Sequence, residues 1–185
     1  MRLQPGDVFC TINPMWLGRA ICAVERFNDL DNSAAYSHAG IILGSLATTF
    51  EALWRNGRQE LFKAYQGKRI LIGRHRDMDP ERFRAGWDEI AHMEGQWYAG
   101  HRLFLMLIPP LAKYLATGKF AVCSEIVAKF LKGAGIMGYW SGVTPDHIAD
   151  TIHTHKGWMV VYEGICPSTN EDFDKIPTPI AQFHI

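Results

Sequence analysis

Apolar positions recur along this chain with two periods. From Cys123, the residues Val127, Phe130 and Leu131 follow at four, seven and eight positions, the spacing of a single helical stripe, and Lys132-Gly133 closes it. The same period links Trp16, Ala20, Ile21, Val24 and Phe27 behind Asn13-Pro14, and Phe83, Trp87 and Ile90 behind Asp79-Pro80. In both, an Asn or Asp suits the cap and proline tolerates the first helical position. A shorter helix is expected from Thr144-Pro145-Asp146 through Ile148 and Ile152.

Between these helices lie short extended runs, at residues 6–11, 36–43, 46–54, 59–65, 69–74 and 157–163, separated by turn residues such as Asn56-Gly57. Gly44-Ser45 between two of these runs suggests a two-residue hairpin turn. Pro109-Pro110 must interrupt any helix in the apolar run 103–111. The segment from Cys166 onward, with Pro167, Pro177 and Pro179, is expected to cross the surface without regular structure. The pattern predicts an α+β fold, with a mostly antiparallel sheet packed against the cysteine-bearing helix and further helices. It forms a single domain over 1–165, followed by a surface tail over 166–185. No internal repeat or low-complexity segment is present.

Composition narrows the possibilities. With 185 residues and 48% hydrophobic side chains, one domain can bury a sizeable core. Nineteen basic and nineteen acidic residues cancel, so there is no broad charge footprint for nucleic acid or anionic membranes. The run 103–111 is shorter than the ~20 residues that span a bilayer. It suits core packing, a pocket wall or a lipid-facing patch. No charged stretch followed by an apolar one opens the sequence, so a cytoplasmic location is the default expectation. The four cysteines, Cys10, Cys22, Cys123 and Cys166, are irregularly spaced in a chain too large for a disulfide scaffold and are expected to be reduced.

Two placements carry chemistry. Cys123 falls in the first turn of its predicted helix, where unpaired N–H groups and the macrodipole favour a thiolate. That makes it either a nucleophile or a small buried hydrophobe. If Gly44-Ser45 is the hairpin turn, counting back places His38 directly opposite Glu51 on one face. A carboxylate against an imidazole fixes its tautomer and stabilises its charged form, as a general base requires. Either residue alone has an ordinary structural explanation. With a helix-start cysteine they make a nucleophile, base and orienter.

Other signals are weaker. His147, His153, His155 and Cys166 cluster in sequence but match no common zinc spacing, and no Gly-rich phosphate loop occurs. No metal or cofactor is therefore expected. Tyr36, Trp97 and Tyr98 are the candidate substrate-contacting residues, and Trp140 is a further aromatic in a predicted loop beside the cysteine segment.

Taken in order, the Gly6-Asp7-Val8 strand, Ser37-His38-Ala39-Gly40-Ile41, Phe50-Glu51-Ala52, the helix opening Cys123-Ser124-Glu125-Ile126-Val127, and Thr144-Pro145-Asp146 form a pattern. It resembles the circularly permuted NlpC-like cysteine hydrolases of the YiiX type, papain-fold relatives in which the histidine strand precedes the cysteine helix. The resemblance covers roughly residues 5–163 and implies a permuted papain-like fold. It implies Cys123 as nucleophile, His38 as base and Glu51 as the residue that orients His38. Tyr98 matches a loop tyrosine of that family, whereas Ala99 stands where an acidic residue is expected.

The implied activity is cleavage of an amide or peptide bond, including a cell-wall peptide, through a thioester on Cys123 and without a cofactor. Lipid acyl hydrolysis or transfer on the same fold is the alternative, along with a catalytically weak module that binds peptide or lipid.

Overall fold

The computed structural model describes residues 2–12, 36–53, 55–96, 122–138 and 143–177. The helix expected after Asn13, residues Trp97, Tyr98 and Trp140, Cys22 and the apolar run 103–111 lie outside the described residues.

The described strands are β1 (Val8–Thr11), β2 (His38–Ile42), β3 (Thr48–Ala52), β4 (Asn56–Glu60), β5 (Arg69–His75) and β6 (Trp158–Ile165). They form a six-stranded sheet in the order β4-β3-β2-β1-β5-β6, with every pairing antiparallel. The described helices are α1 (Leu61–Tyr65), α2 (Pro80–Ile90), α3 (Val122–Gly133), α4 (Pro145–Thr154) and α5 (Asn170–Asp174). This is the α+β architecture expected from the sequence.

The side-chain alternation of the strands sorts the core into two layers. Val8 and Cys10 of β1, Ala39 and Ile41 of β2, and Phe50 and Ala52 of β3 join Ile126, Val127, Phe130 and Leu131 of α3 and Ile148 and Ile152 of α4. Phe9, Ile42, Ile70 and Ile72 instead join Leu61, Phe62 and Tyr65 of α1 and Phe173 of α5. Helix α2 packs on α3 at Gly86, where a Cβ would come within 2.7 Å of the Phe130 carbonyl oxygen. The Asp79 carboxylate accepts from Arg82 N, and Thr144 Oγ1 from His147 N, so both capped helix starts form as their sequences indicate.

Four expectations are corrected. The β2–β3 connection is not a two-residue Gly44-Ser45 turn: Leu43 N donates to Thr48 O at 2.7 Å, and Ala47 N to Gly44 O at 3.1 Å, enclosing residues 44–47. Leu46 is the exposed tip, and Ala47 adopts a left-handed φ of 60°. Its carbonyl accepts from Leu61 N at the start of α1, a contact that no local pattern in the turn encodes.

Second, Asn56-Gly57 is not a turn but begins β4. Asn56 is buried because its amide donates to Met93 O at 3.1 Å and its N–H to Gln96 O at 3.0 Å, partners supplied from beyond α2.

Third, residues 61–65 are helical, not the end of a strand, because Leu61, Phe62 and Tyr65 bury one face against the second layer. Fourth, the segment after Cys166 contains α5, capped by Thr169 Oγ1 accepting from Asp172 N, with Phe173 fully buried against Phe62 and Tyr162.

Candidate active site

The site is built where β2 begins. Gly40 pairs with Glu51, Ile41 with Phe50 and Ile42 with Thr49. His38 is therefore not directly opposite Glu51, as a two-residue turn would place it, but diagonal to it. The longer turn offsets the register by two residues, an even number, so both side chains stay on one face. Diagonal neighbours lie within reach of long side chains. Gly40 clears the space between them: a Cβ there would come within 2.5 Å of the Phe9 ring and 3.2 Å of Glu51 Cβ.

Three donors converge on the buried Glu51 carboxylate. Thr49 Oγ1 donates to Oε1 at 2.6 Å, while His38 Nε2, at 2.6 Å, and the Tyr65 hydroxyl both meet Oε2. Burial alone would raise the Glu51 pKa, but the hydrogen bond and charge of His38, with the hydrogen bonds of Thr49 and Tyr65, lower it below its ordinary value. An ionised carboxylate only accepts, so Nε2 of His38 carries a proton.

Cys123 is the second group against this imidazole, its thiol lying within hydrogen-bonding reach of the ring. Burial would depress the His38 pKa. The hydrogen bond and charge of Cys123, followed by those of Glu51, outweigh it and raise the value well above that of a free imidazole.

Cys123 is the second residue of α3 as described and is buried in the first core layer. Glu51 and Tyr65 belong to the opposite face of the sheet, so His38, the first residue of β2, is the group in reach of both. The cysteine end of α3 is anchored by Ser124, whose hydroxyl donates to Val143 O at 2.5 Å.

The other described thiols differ chemically. Cys10 is fully enclosed, its Sγ donating to Pro145 O at 3.6 Å. Burial first, then the negative charges of Cys123, Asp146 and Asp150, push its pKa well up. Cys166 is pushed up to about 11 by burial. Among the described residues Cys10, Cys123 and Cys166 are all free thiols.

Tyr36 is two residues from His38, yet its groups are committed elsewhere. The hydroxyl donates to Glu163 Oε1 at 3.0 Å, the N–H to Asp146 Oδ1 at 2.9 Å, and Arg69 lies 5.5 Å over the ring. It links the entry of β2 to α4 and β6, and its hydroxyl does not face Glu51. Trp97 and Tyr98, the other two candidate substrate contacts, lie outside the described residues.

Sequence reasoning missed Thr49 and Tyr65. Thr49 was legible, because it precedes Glu51 by two positions on the same strand face. For Tyr65 the signal was the helical spacing of Leu61, Phe62 and Tyr65, which a strand reading of that segment obscures.

The class defined by fold and site is an α+β protein whose six-stranded antiparallel sheet presents a buried His-Glu pair to a helix-borne cysteine. In comparisons with known proteins, one solved structure similar to this chain is the metalloprotein YiiX from Escherichia coli O157:H7, DUF1105. It is 15% identical, with a TM-score of 0.50 over 98% of this chain and 96% of that one, which relates the two folds. No family model and no curated protein sequence matches the chain.

YiiX is a metalloprotein, but among the described residues of this chain no three His, Cys, Asp or Glu side chains are disposed to hold a metal ion. His153 is engaged with Glu163 at 3.0 Å, His155 Nδ1 accepts from Gly157 N, and Cys166 belongs to the other core layer. Among the described residues, no helix is long and apolar enough to cross a membrane.

Proposed function

We propose that the chain is a cysteine hydrolase of the permuted NlpC-like, papain-related kind that cleaves an amide or peptide bond through a thioester on Cys123. The observation that carries this reading is the convergence of Cys123, from the start of α3, and Glu51, from β3, on the imidazole of His38.

In this reading Glu51 stabilises the imidazolium, which in turn stabilises the Cys123 thiolate. The thiolate attacks the scissile carbonyl carbon, and the C–S bond forms as the carbonyl π electrons move onto oxygen. Backbone N–H groups at the start of α3, aided by the helix dipole, stabilise that oxyanion. Collapse of the tetrahedral adduct expels the amine, to which His38 delivers its proton. The neutral imidazole then takes a proton from water, whose oxygen attacks the thioester. The acid leaves, and the thiolate and imidazolium are restored. No step requires a metal.

The test is alkylation of the native protein with iodoacetamide from about pH 5 to about pH 8, with each cysteine followed by peptide mass spectrometry. Labelling of Cys123 at the acid end, lost in His38→Ala, is the expected result. A Cys123 that reacts like Cys10 and Cys166, or not at all, would refute the activated thiolate and favour a binding module.

A further inference from the structure

We infer that Tyr65 is a positioning residue of this site, holding the Glu51 carboxylate in the orientation and ionisation state that His38 requires; the inference rests on the cysteine chemistry proposed above. The Tyr65 hydroxyl and His38 Nε2 share one carboxylate oxygen, Oε2, and Thr49 Oγ1 holds the other at 2.6 Å. The carboxylate is pinned at both ends inside the core, so it cannot rotate without abandoning a donor.

Tyr65 is itself fixed. It closes α1, and its ring packs against Phe9 at 5.5 Å and His38 at 5.9 Å between centroids. Burial, then the charge of Glu51, raises the phenol pKa far above its ordinary value. It therefore remains a donor wherever the protein is folded. Neither Thr49 nor His38 can substitute for it, because each already contributes its own hydrogen bond to the same carboxylate.

Tyr65→Phe keeps the ring and removes only this donor. Glu51 would then be a buried carboxylate short of one partner, and ionised carboxylates are costly to bury unsatisfied. Protonation of Glu51 would then begin at a higher pH, and with it the support that Glu51 gives His38 would be lost earlier, so the acid limb of Cys123 reactivity should move upward. A hydrogen bond to a charged group corresponds to about one to two pH units, or about a ten- to hundredfold slower reaction at a fixed pH on that limb.

The experiment measures Cys123 alkylation by iodoacetamide against pH in wild type, Tyr65→Phe, Glu51→Gln and the double variant, with His38→Ala as control. The acid limb is expected to shift in Tyr65→Phe and to shift no further when the same change is made in Glu51→Gln. A Tyr65→Phe profile superimposed on wild type, even with a lowered melting temperature, would show a packing role only. An equal shift in the Glu51→Gln background would show that Tyr65 does not act through Glu51. If wild-type Cys123 is no more reactive than in His38→Ala, the cysteine chemistry itself fails, a result distinct from the other two.

Discussion

His38 Nε2 and Glu51 Oε2 are joined at 2.6 Å although neither residue stands opposite the other in the sheet. The partner opposite Glu51 is Gly40, and the pair is made across the space its missing side chain leaves.

Glu51→Gln keeps the shape of that side chain and removes its charge. Loss of one charge-assisted hydrogen bond, worth about 1.5–3 kcal/mol, should slow Cys123 alkylation at acidic pH by about ten- to a hundredfold. The stability effect has a definite pH window. The His38 pKa is raised from 6.5, so its contribution is complete below that value and lost as pH rises through the raised one. The Glu51 pKa is lowered from 4.5, so its contribution is complete above that value and lost as pH falls through the lowered one. Urea titrations should therefore show the largest deficit of the variant between pH 4.5 and 6.5.

Gly40→Ala should damage fold and site together. The added methyl would enter the Phe9 ring at 2.5 Å while crowding Glu51 Cβ at 3.2 Å. Overpacking of this kind costs about 1–3 kcal/mol. Chemical denaturation would measure that loss, and Cys123 alkylation would report displacement of Glu51. An unchanged midpoint would mean that Phe9 moves aside freely.

Differential thiol labelling should separate the cysteines. Burial pushes the Cys10 thiol well up and the Cys166 thiol to about 11, so both should resist iodoacetamide at neutral pH in the native protein. Both should label once the chain is unfolded. Mass spectrometry of native and urea-treated samples checks this, and rapid native labelling of Cys10 would contradict its enclosed position.

Phe173→Ala tests whether the segment after Cys166 belongs to the core. The ring is fully buried, in contact with Phe62 at 5.7 Å and Tyr162 at 5.3 Å between centroids. Truncation of a buried Phe costs about 3–5 kcal/mol. A loss of that size in equilibrium unfolding would show the segment to be integral, whereas a loss well under 1 kcal/mol would fit a surface tail.

How far each feature was legible depends on where its physical cause lies. Asp79-Pro80 and Thr144-Pro145 announce their helices because a cap acts on an N–H only three residues away. The stripe of Val127, Phe130 and Leu131 behind Cys123 is likewise local. For His38 and Glu51, strand parity places both on one face, and a two-residue error in the turn leaves parity unchanged.

What the turn count could not supply was the register itself. That depends on Ala47 tucking into the second core layer and on its carbonyl receiving the Leu61 N–H. The helix at 61–65 and the burial of Asn56 depend similarly on partners brought in from other elements.

The sequence by itself therefore determined the α+β class, the two capped helices, the cysteine at the start of an amphipathic helix, and the shared face of His38 and Glu51. Those features rest on hydrogen bonds and side-chain periods spanning a few residues. The tertiary structure alone decided that Gly40 is the residue facing Glu51, that Tyr65 joins the donors on its carboxylate, that Cys123 meets the imidazole, and that Phe173 lies in the core. Each of those depends on surfaces that become neighbours only when the sheet closes between its two layers, and side-chain periodicity carries no record of which distant surface will bury it.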